Sequence, residues 1–418
     1  EGETAVLRRT RPPAMYDRSP DPRVGSRDTV VIGASAGGIQ ALRTIVRELP
    51  SPFPAAILIV LHIGSHESAL AAILRASGRH PVLQPHDGEA VRPGHVYVAA
   101  PDRHMLLEYD RIRLSRGPRE NHTRPAIDPL FRSAALTRGP RVIGVLLTGR
   151  LDDGVVGLQA IKECGGLVVV QDPASAEEPS MPSSALRSVA VDRVVPLGSL
   201  AETLAELVGE PATTAGAAAI VPQQPVAADQ RPATAADQLA TVPTRSAAVP
   251  KEPAKDAPVA ERVPVHLSRE HAIALGEGDV VGELDSMGRP SRYSCPECGG
   301  TMWQIDAPGP TRFRCHTGHA YAMRSLLGAQ STRVEQALWE AARALREKAM
   351  MLRQVAQIDR RAGDAPGANA SDRRAQQYDE QARVLRDLIR NGAETGAGIG
   401  PKTGAAAMGQ AADRQEFR

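Results

Sequence analysis

The chain alternates between short apolar runs and segments whose apolar residues recur every three to four positions. From residue 28 to about 208 the runs "TVVIGA" (29–34), "AAILIVLH" (55–62), "HVYVAA" (95–100), "RVIGVLLTG" (141–149) and "LVVVQD" (167–172) carry little polar alternation. Continuous apolar runs rich in β-branched residues read as strands buried on both faces. Between them, Ile39, Leu42, Ile45, Val46 and Leu49 share one helical face, as do Ala69, Leu70, Ile73 and Leu74. This alternation predicts an α/β domain over 28–208, doubly wound, its sheet mostly parallel with helices on both faces.

The pattern then changes. Residues 209–262 are mainly Ala, Pro, Thr, Val and Gln, with no aromatic residue and no cysteine. So little apolar area cannot offset the entropy of ordering, which predicts a disordered linker. A small module is expected over 263–327 and a helical hairpin over 328–392. The first long helix should begin near a capping box, Thr332 with Glu335, and present Val334, Leu338, Ala341, Leu345, Ala349, Leu352 and Val355 on one face. Residues 360–371 should break it. A second helix with Tyr378, Ala382, Leu385, Leu388 and Ile389 should stop at Asn391-Gly392. Two such faces suit an antiparallel hairpin, a coiled-coil partner or self-association. Residues 1–27 read as a flexible leader and 393–418 as a disordered tail.

Composition narrows the function classes. The 418 residues carry a net charge of only +2, so no global field points to nucleic acid. The longest strongly apolar run, 55–61, is far too short for a membrane span, and the N-terminal segment lacks a secretion signal. The expectation is a cytoplasmic protein without membrane insertion. Of the four cysteines, Cys164 stands alone and is expected to pack as a small apolar residue near a helix end. The other three cluster with histidines, which favours a metal site over disulfides.

The loop "GASAGG" (33–38) admits two chemistries. A dinucleotide fingerprint needs a second glycine where this chain has Ser35, and an acid at the end of strand two where it has His62. Gly33-Ala34-Ser35-Ala36-Gly37 is instead G-x-S-x-G, a sharp strand-to-helix turn that exposes a serine oxygen. Serine needs a base, and His62 ends the neighbouring strand. An orienting carboxylate is available in "LLTGRLDDG" (146–154), where spacing alone leaves Asp152 and Asp153 open. The following helix offers backbone N–H groups near Ala36 to an oxyanion. His66 is a weaker base candidate, and His86, His95, His104 and His122 have no partner evident from the sequence.

Together, "IGASAGG", "VLH", "RPAIDPLFRSAA", "LLTGRLDDGVVGL" and "EPSMPSSA" resemble the catalytic domain of the chemotaxis protein-glutamate methylesterases (CheB-type) over about residues 28–205. The resemblance implies hydrolysis of glutamyl methyl esters on chemoreceptors and, in some members, deamidation of receptor glutamines. It implies Ser35 as nucleophile, His62 as base and Asp153 as the orienting acid, with Asp152 a neighbour. Family members usually carry an N-terminal receiver domain; here the catalytic pattern begins near residue 28, so an esterase without that gating is expected. Where the family often reads Gly-Met-Gly, this chain has Gly149-Arg150-Leu151, and Arg150 is a candidate contact for an acidic substrate. The alternative is a non-enzymatic signalling scaffold built on a degenerate esterase domain.

"CPEC" (295–298) and "CHTGH" (315–319) are separated by a 16-residue spacer. Two such knuckles suit a tetrahedral zinc held by Cys295, Cys298, Cys315 and His319, with His316 the runner-up. Four protein ligands leave no open position, so the zinc would be structural and catalysis would need no cofactor.

Overall fold

The computed structural model describes residues 26–62, 68–208, 210 and 264–394, with side chains to 390. The chain enters through β1 (Thr29–Ala34), α1 (Gly38–Glu48), β2 (Ala56–Leu61), α2 (Leu70–Ser77), β3 (Val82–Leu83) and β4 (Val96–Val98). A small antiparallel pair follows, β5 (His104–Glu108) and β6 (Arg111–Ser115), and then α3 (Ile127–Arg138). The rest of this region is β7 (Val142–Leu146), α4 (Val155–Glu163), β8 (Leu167–Gln171), α5 (Ser180–Ser188), β9 (Arg193–Val195) and α6 (Leu200–Val208).

Seven strands form one sheet in the order β3-β4-β2-β1-β7-β8-β9, and every pairing is parallel. The expectation of a doubly wound α/β sheet holds. The apolar runs are continuous because alternate residues serve two cores. Val30, Ile32 and Ala34 of β1 pack with Ile57, Ile59 and Leu61 of β2 beneath α1 and α6. Val31, Leu58 and Val60 face the other way, onto Leu130, Phe131 and Ala134 of α3 and Leu158 and Ile161 of α4. The short edge strands β3 and β9 escaped the sequence pattern because two or three residues give no period to read, and the five-residue strands β5 and β6 were not expected either.

The C-terminal part opens with α7 (Val265–Leu275) and α8 (Val280–Met287). They lead into a four-stranded antiparallel sheet, β10 (Gly288–Ser294), β11 (Thr301–Ile305), β12 (Arg312–Cys315) and β13 (Ala320–Ala322). This sheet docks on the α/β domain through a buried ion cluster. Glu120 pairs with Arg132 and Arg314, each at 2.7 Å, and Glu270 of α7 pairs with Arg312 at 2.7 Å and Arg314 at 3.3 Å. All five side chains are at most 5 % exposed. Burial alone would favour the neutral acids, but the guanidinium groups outweigh it and hold both Glu120 and Glu270 below the ordinary carboxylate range.

Two long helices finish the described chain, α9 (Met323–Arg361) and α10 (Ala365–Glu394), packed against each other. Their seam is built on alanine at heptad spacing: Ala342, Ala349 and Ala356 of α9 and Ala368, Ala375 and Ala382 of α10 are all buried. The expected face needs correction, since Val334 and Val355 lie outside the seam, 59% and 43% exposed. The expected start needs correction too. Thr332 lies inside α9, where its hydroxyl donates back to the Gly328 carbonyl (3.3 Å), so Thr332 and Glu335 form no capping box. The break is also shorter than 360–371. Pro366 stands at the second position of α10, where a missing N–H costs nothing, and the Asp364 carboxylate accepts from Gly367 N (2.9 Å). Asn391-Gly392 does not stop α10, which runs on to Glu394. Most of the leader, linker and tail regions lies outside the described residues.

Candidate active site

Ser35 is the first residue beyond β1, in the turn into α1. Gly37 in that turn has φ 76°, and a Cβ there would lie 2.7 Å from the Glu177 side chain, so the position demands glycine on both counts. β2 pairs directly with β1, and the His62 N–H continues the ladder onto the Ala34 carbonyl (3.3 Å). β7 flanks β1 on the other side, and Ser35 N donates to Thr148 O (3.0 Å) just beyond it. The segment after β7 turns through Asp152-Asp153-Gly154 into α4. Three adjacent parallel strands thus deliver Ser35, His62 and Asp153 to one end of the sheet, where crevices of open α/β sheets form.

The side chains meet there. His62 Nδ1 lies 3.1 Å from Ser35 Oγ, and His62 Nε2 lies 2.7 Å from Asp153 Oδ2. The carboxylate selects the tautomer with its proton on Nε2, which leaves the Nδ1 lone pair facing the serine hydroxyl. His62 is partly open to solvent while Asp153 is buried. Burial would push Asp153 towards the neutral acid. The hydrogen bond and charge of His62, with N–H donors from Ile127 (2.7 Å) and Asn121 Nδ2 (2.7 Å), outweigh it and hold the carboxyl below its ordinary range. Ile127 opens α3, so the carboxylate also sits at a helix N-terminus.

Asp152 and Asp153 part ways completely. Asp152 turns away and accepts from Arg324 N and Ser325 N, each at 3.0 Å, and from Ser325 Oγ at 2.5 Å. It is the cap of α9, supplied from a distant part of the chain. Burial pushes its carboxyl up, against these hydrogen bonds.

The rim is shaped by two loops. A Cβ on Gly149 would come within 2.8 Å of Ser35 Cβ and 2.5 Å of Met181 Cε, so only glycine fits against the serine. Thr148 Oγ1 donates to the Ala36 carbonyl (2.9 Å) and accepts from Glu178 N (2.8 Å), tying the serine turn to the loop before α5. Arg150 is half-exposed and pairs with Glu178 at 2.5 Å.

His66 lies outside the described residues. The remaining histidines have partners the sequence did not reveal: His86 with Glu89, His95 with the Pro93 carbonyl, buried His104 with the Pro118 carbonyl, and His122 with Glu297. Cys164 caps the end of α4 and packs against the second core. Asn121 and Asp128 were missed. Both are buried beside Asp153, on a loop and helix start with no local signature of that role.

In the C-terminal module, Cys295, Cys298, Cys315 and His319 converge, their ligand atoms all within 4.8 Å of one another, so the group can hold a metal ion. Cys298 Sγ and Cys315 Sγ are 3.6 Å apart, and His319 Nδ1 lies 3.4 Å from Cys315 Sγ and 3.7 Å from Cys295 Sγ. A tetrahedron with metal–sulfur bonds of about 2.3 Å has edges of about 3.8 Å, close to these separations. The other ring nitrogen of His319 faces Glu297 at 3.4 Å, the carboxylate–histidine pairing that orients a metal-bound imidazole. His316 instead lies over Gly300.

The sequence profile of the CheB methylesterase family matches residues 30–204. A putative protein-glutamate methylesterase/protein-glutamine glutaminase from Leptospira interrogans is 43% identical over 182 residues, which cover 43% of this chain and 94% of that relative. The chain belongs to the CheB methylesterase family. A protein-glutamate methylesterase/protein-glutamine glutaminase of Anaeromyxobacter dehalogenans is 41% identical over 186 residues, 44% of this chain and 54% of its own length. The crystal structure of the Thermotoga maritima CheB methylesterase catalytic domain aligns with 44% of this chain and 100% of its own at 34% identity, with a TM-score of 0.42. These alignments span less than half of this chain each, and the stretch matched by the family profile contains Ser35, His62 and Asp153.

Proposed function

We propose that the chain is a serine esterase that hydrolyses glutamyl methyl esters on chemoreceptor-like signalling proteins. The observation that carries the reading is the continuous hydrogen-bonded line Ser35–His62–Asp153, at 3.1 and 2.7 Å, within a family of methylesterases. Ser35 Oγ attacks the ester carbonyl as His62 Nδ1 takes its proton, and Asp153 stabilises the imidazolium. Backbone N–H groups near Ala36, at the start of α1, receive the oxyanion. The tetrahedral intermediate expels methanol, protonated by His62, and leaves an acyl-serine. Water, deprotonated by His62, then cleaves that ester to release the glutamate carboxylate and restore the serine. An amide in place of the ester would lose ammonia by the same steps, which is glutamine deamidation. Arg150, half-exposed beside Gly149, is assigned to contact with an acidic stretch of substrate.

The Cys3His group is assigned a structural zinc held by Cys295, Cys298, Cys315 and His319. Four protein ligands fill its coordination, so it supplies no open position to substrate. Among the described residues no helix is long and apolar enough to cross a membrane, and a cytoplasmic site of action is proposed. The α9–α10 hairpin is proposed as the element that pairs with a coiled-coil partner or a second copy.

The test is methanol release from a methylated receptor cytoplasmic fragment. Wild type should release methanol, and Ser35→Ala should fall by roughly 10^4-fold or more. Equal, residual release by both proteins would overturn the reading.

A further inference from the structure

The line of hydrogen bonds does not end at Asp153. Asn121 Nδ2 donates to Asp153 Oδ1 (2.7 Å) and to Asp128 Oδ2 (2.8 Å), while its Oδ1 accepts from Ala322 N (2.8 Å), 201 residues further along the chain. Asn121 is buried and held at φ 50°, a backbone conformation that non-glycine residues seldom adopt without support.

Arg132 of α3 holds the neighbouring Glu120 (2.7 Å) from within the α/β domain, and the remaining support comes from beside the Cys3His group. Asn121 N donates to Ala320 O (2.7 Å), and Ala320 follows His319. Glu120 pairs with Arg314 (2.7 Å), which precedes Cys315. His122 pairs with Glu297 (3.4 Å), which precedes Cys298 and also faces His319. Three consecutive residues of the α/β domain are each gripped by a residue directly adjacent to a different candidate metal ligand.

We propose that the zinc-loaded Cys3His module completes the esterase site, with Asn121 as the positioning residue that aims Asp153 at His62. This rests on the esterase reading above. Cys295, Cys298, Cys315 and His319 come from two knuckles that a metal holds in mutual register, and without it no bond joins the two and they lose their fixed shape. Arg314, Glu297 and Ala320 then shift together, residues 120–122 lose these three anchors and keep only the Arg132 pairing of Glu120 on that side, and the Asn121 amide leaves Asp153. Asp153 keeps its bonds to Ile127 N and Gly154 N, so the carboxylate stays in place but loses one of its fixed directions. The fault falls on the transition state, where His62 must carry charge, rather than on substrate binding.

The experiment measures kcat and KM for methanol release from methylated receptor fragment, with zinc content, on the full chain. It compares wild type and Asn121→Ala, each zinc-loaded, zinc-stripped with a chelator under reducing conditions, and reloaded. In wild type, stripping should lower kcat at least tenfold with KM within twofold, and zinc should restore it. Zinc-loaded Asn121→Ala should bind one zinc per chain yet show a similar loss in kcat, and stripping it should cost less than threefold more. If that variant does not fold, Asn121→Ser takes its place in the same cycle. Stripped wild type that keeps kcat within twofold would overturn the inference. So would an Asn121 variant that matches wild type or loses as much on stripping. Zinc-loaded wild type that releases no more methanol than Ser35→Ala overturns the esterase reading itself, a distinct result.

Discussion

Asp152 accepts both the backbone N–H and the hydroxyl of Ser325, a residue 173 positions away, and so caps a helix of 39 residues from another part of the fold. The neighbouring Asp153 faces the opposite way, to His62. One dipeptide thus joins the hairpin to the candidate nucleophile's machinery. Removing the cap in Asp152→Ala should cost about 1–2 kcal/mol, the usual range for losing such a group. Amide exchange over residues 323–328 should rise while α10 stays protected. Unchanged exchange there would show that Asp152 does not hold α9.

Asp153→Asn tests the tautomer argument. An amide NH2 against Nε2 favours the ring form with its proton on Nδ1, which removes the lone pair facing Ser35. We expect kcat to fall about 10^3- to 10^4-fold with little change in KM. A loss smaller than tenfold would mean that Asp153 does not set the ring's protonation.

What the sequence showed and what it hid divide along these contacts. Ser35 and His62 were legible because each ends a strong apolar run, and parallel strands bring such ends together. Asp153 was legible only through the family resemblance, since spacing could not separate it from Asp152. Asn121 and the capping role of Asp152 were not legible, because they depend on partners 201 and 173 residues away and on no local pattern. Thr332 and Glu335 mislead for the same reason: a capping sequence is only a local preference, and here docking onto Asp152 starts the helix nine residues earlier, at Met323.

The buried ion cluster should bind the module to the α/β domain as one folding unit. Arg314→Ala leaves Glu120 and Glu270 short of a partner in a site that excludes water. Breaking one member of such a cluster costs about 3–5 kcal/mol. Denaturant unfolding should show a loss of unfolding free energy of that size. A change below about 1 kcal/mol, the range of exposed ion pairs, would contradict the interface described above.

Acidification should loosen the same interface before the carboxylates titrate. His271 of α7 is buried, and burial pushes it down to about 4 from 6.5. The folded chain therefore binds fewer protons than the unfolded chain between those values. The stability held by neutral His271 is complete above pH 6.5 and is lost as pH falls to about 4. At 1.36 kcal/mol per pKa unit this amounts to about 3 kcal/mol. Stability measured from pH 7 to 4.5 should fall less steeply in His271→Leu than in wild type. Parallel curves would show that His271 does not titrate within the fold.

The proposed chemistry turns on Ser35 acting as a nucleophile activated by His62. It is tested most directly by peptide mapping after treatment with a serine-directed fluorophosphonate. A single phosphonyl adduct on Ser35 is expected in wild type, formed at least a hundredfold more slowly in His62→Ala. No adduct on Ser35, or one that forms equally fast without His62, would contradict it.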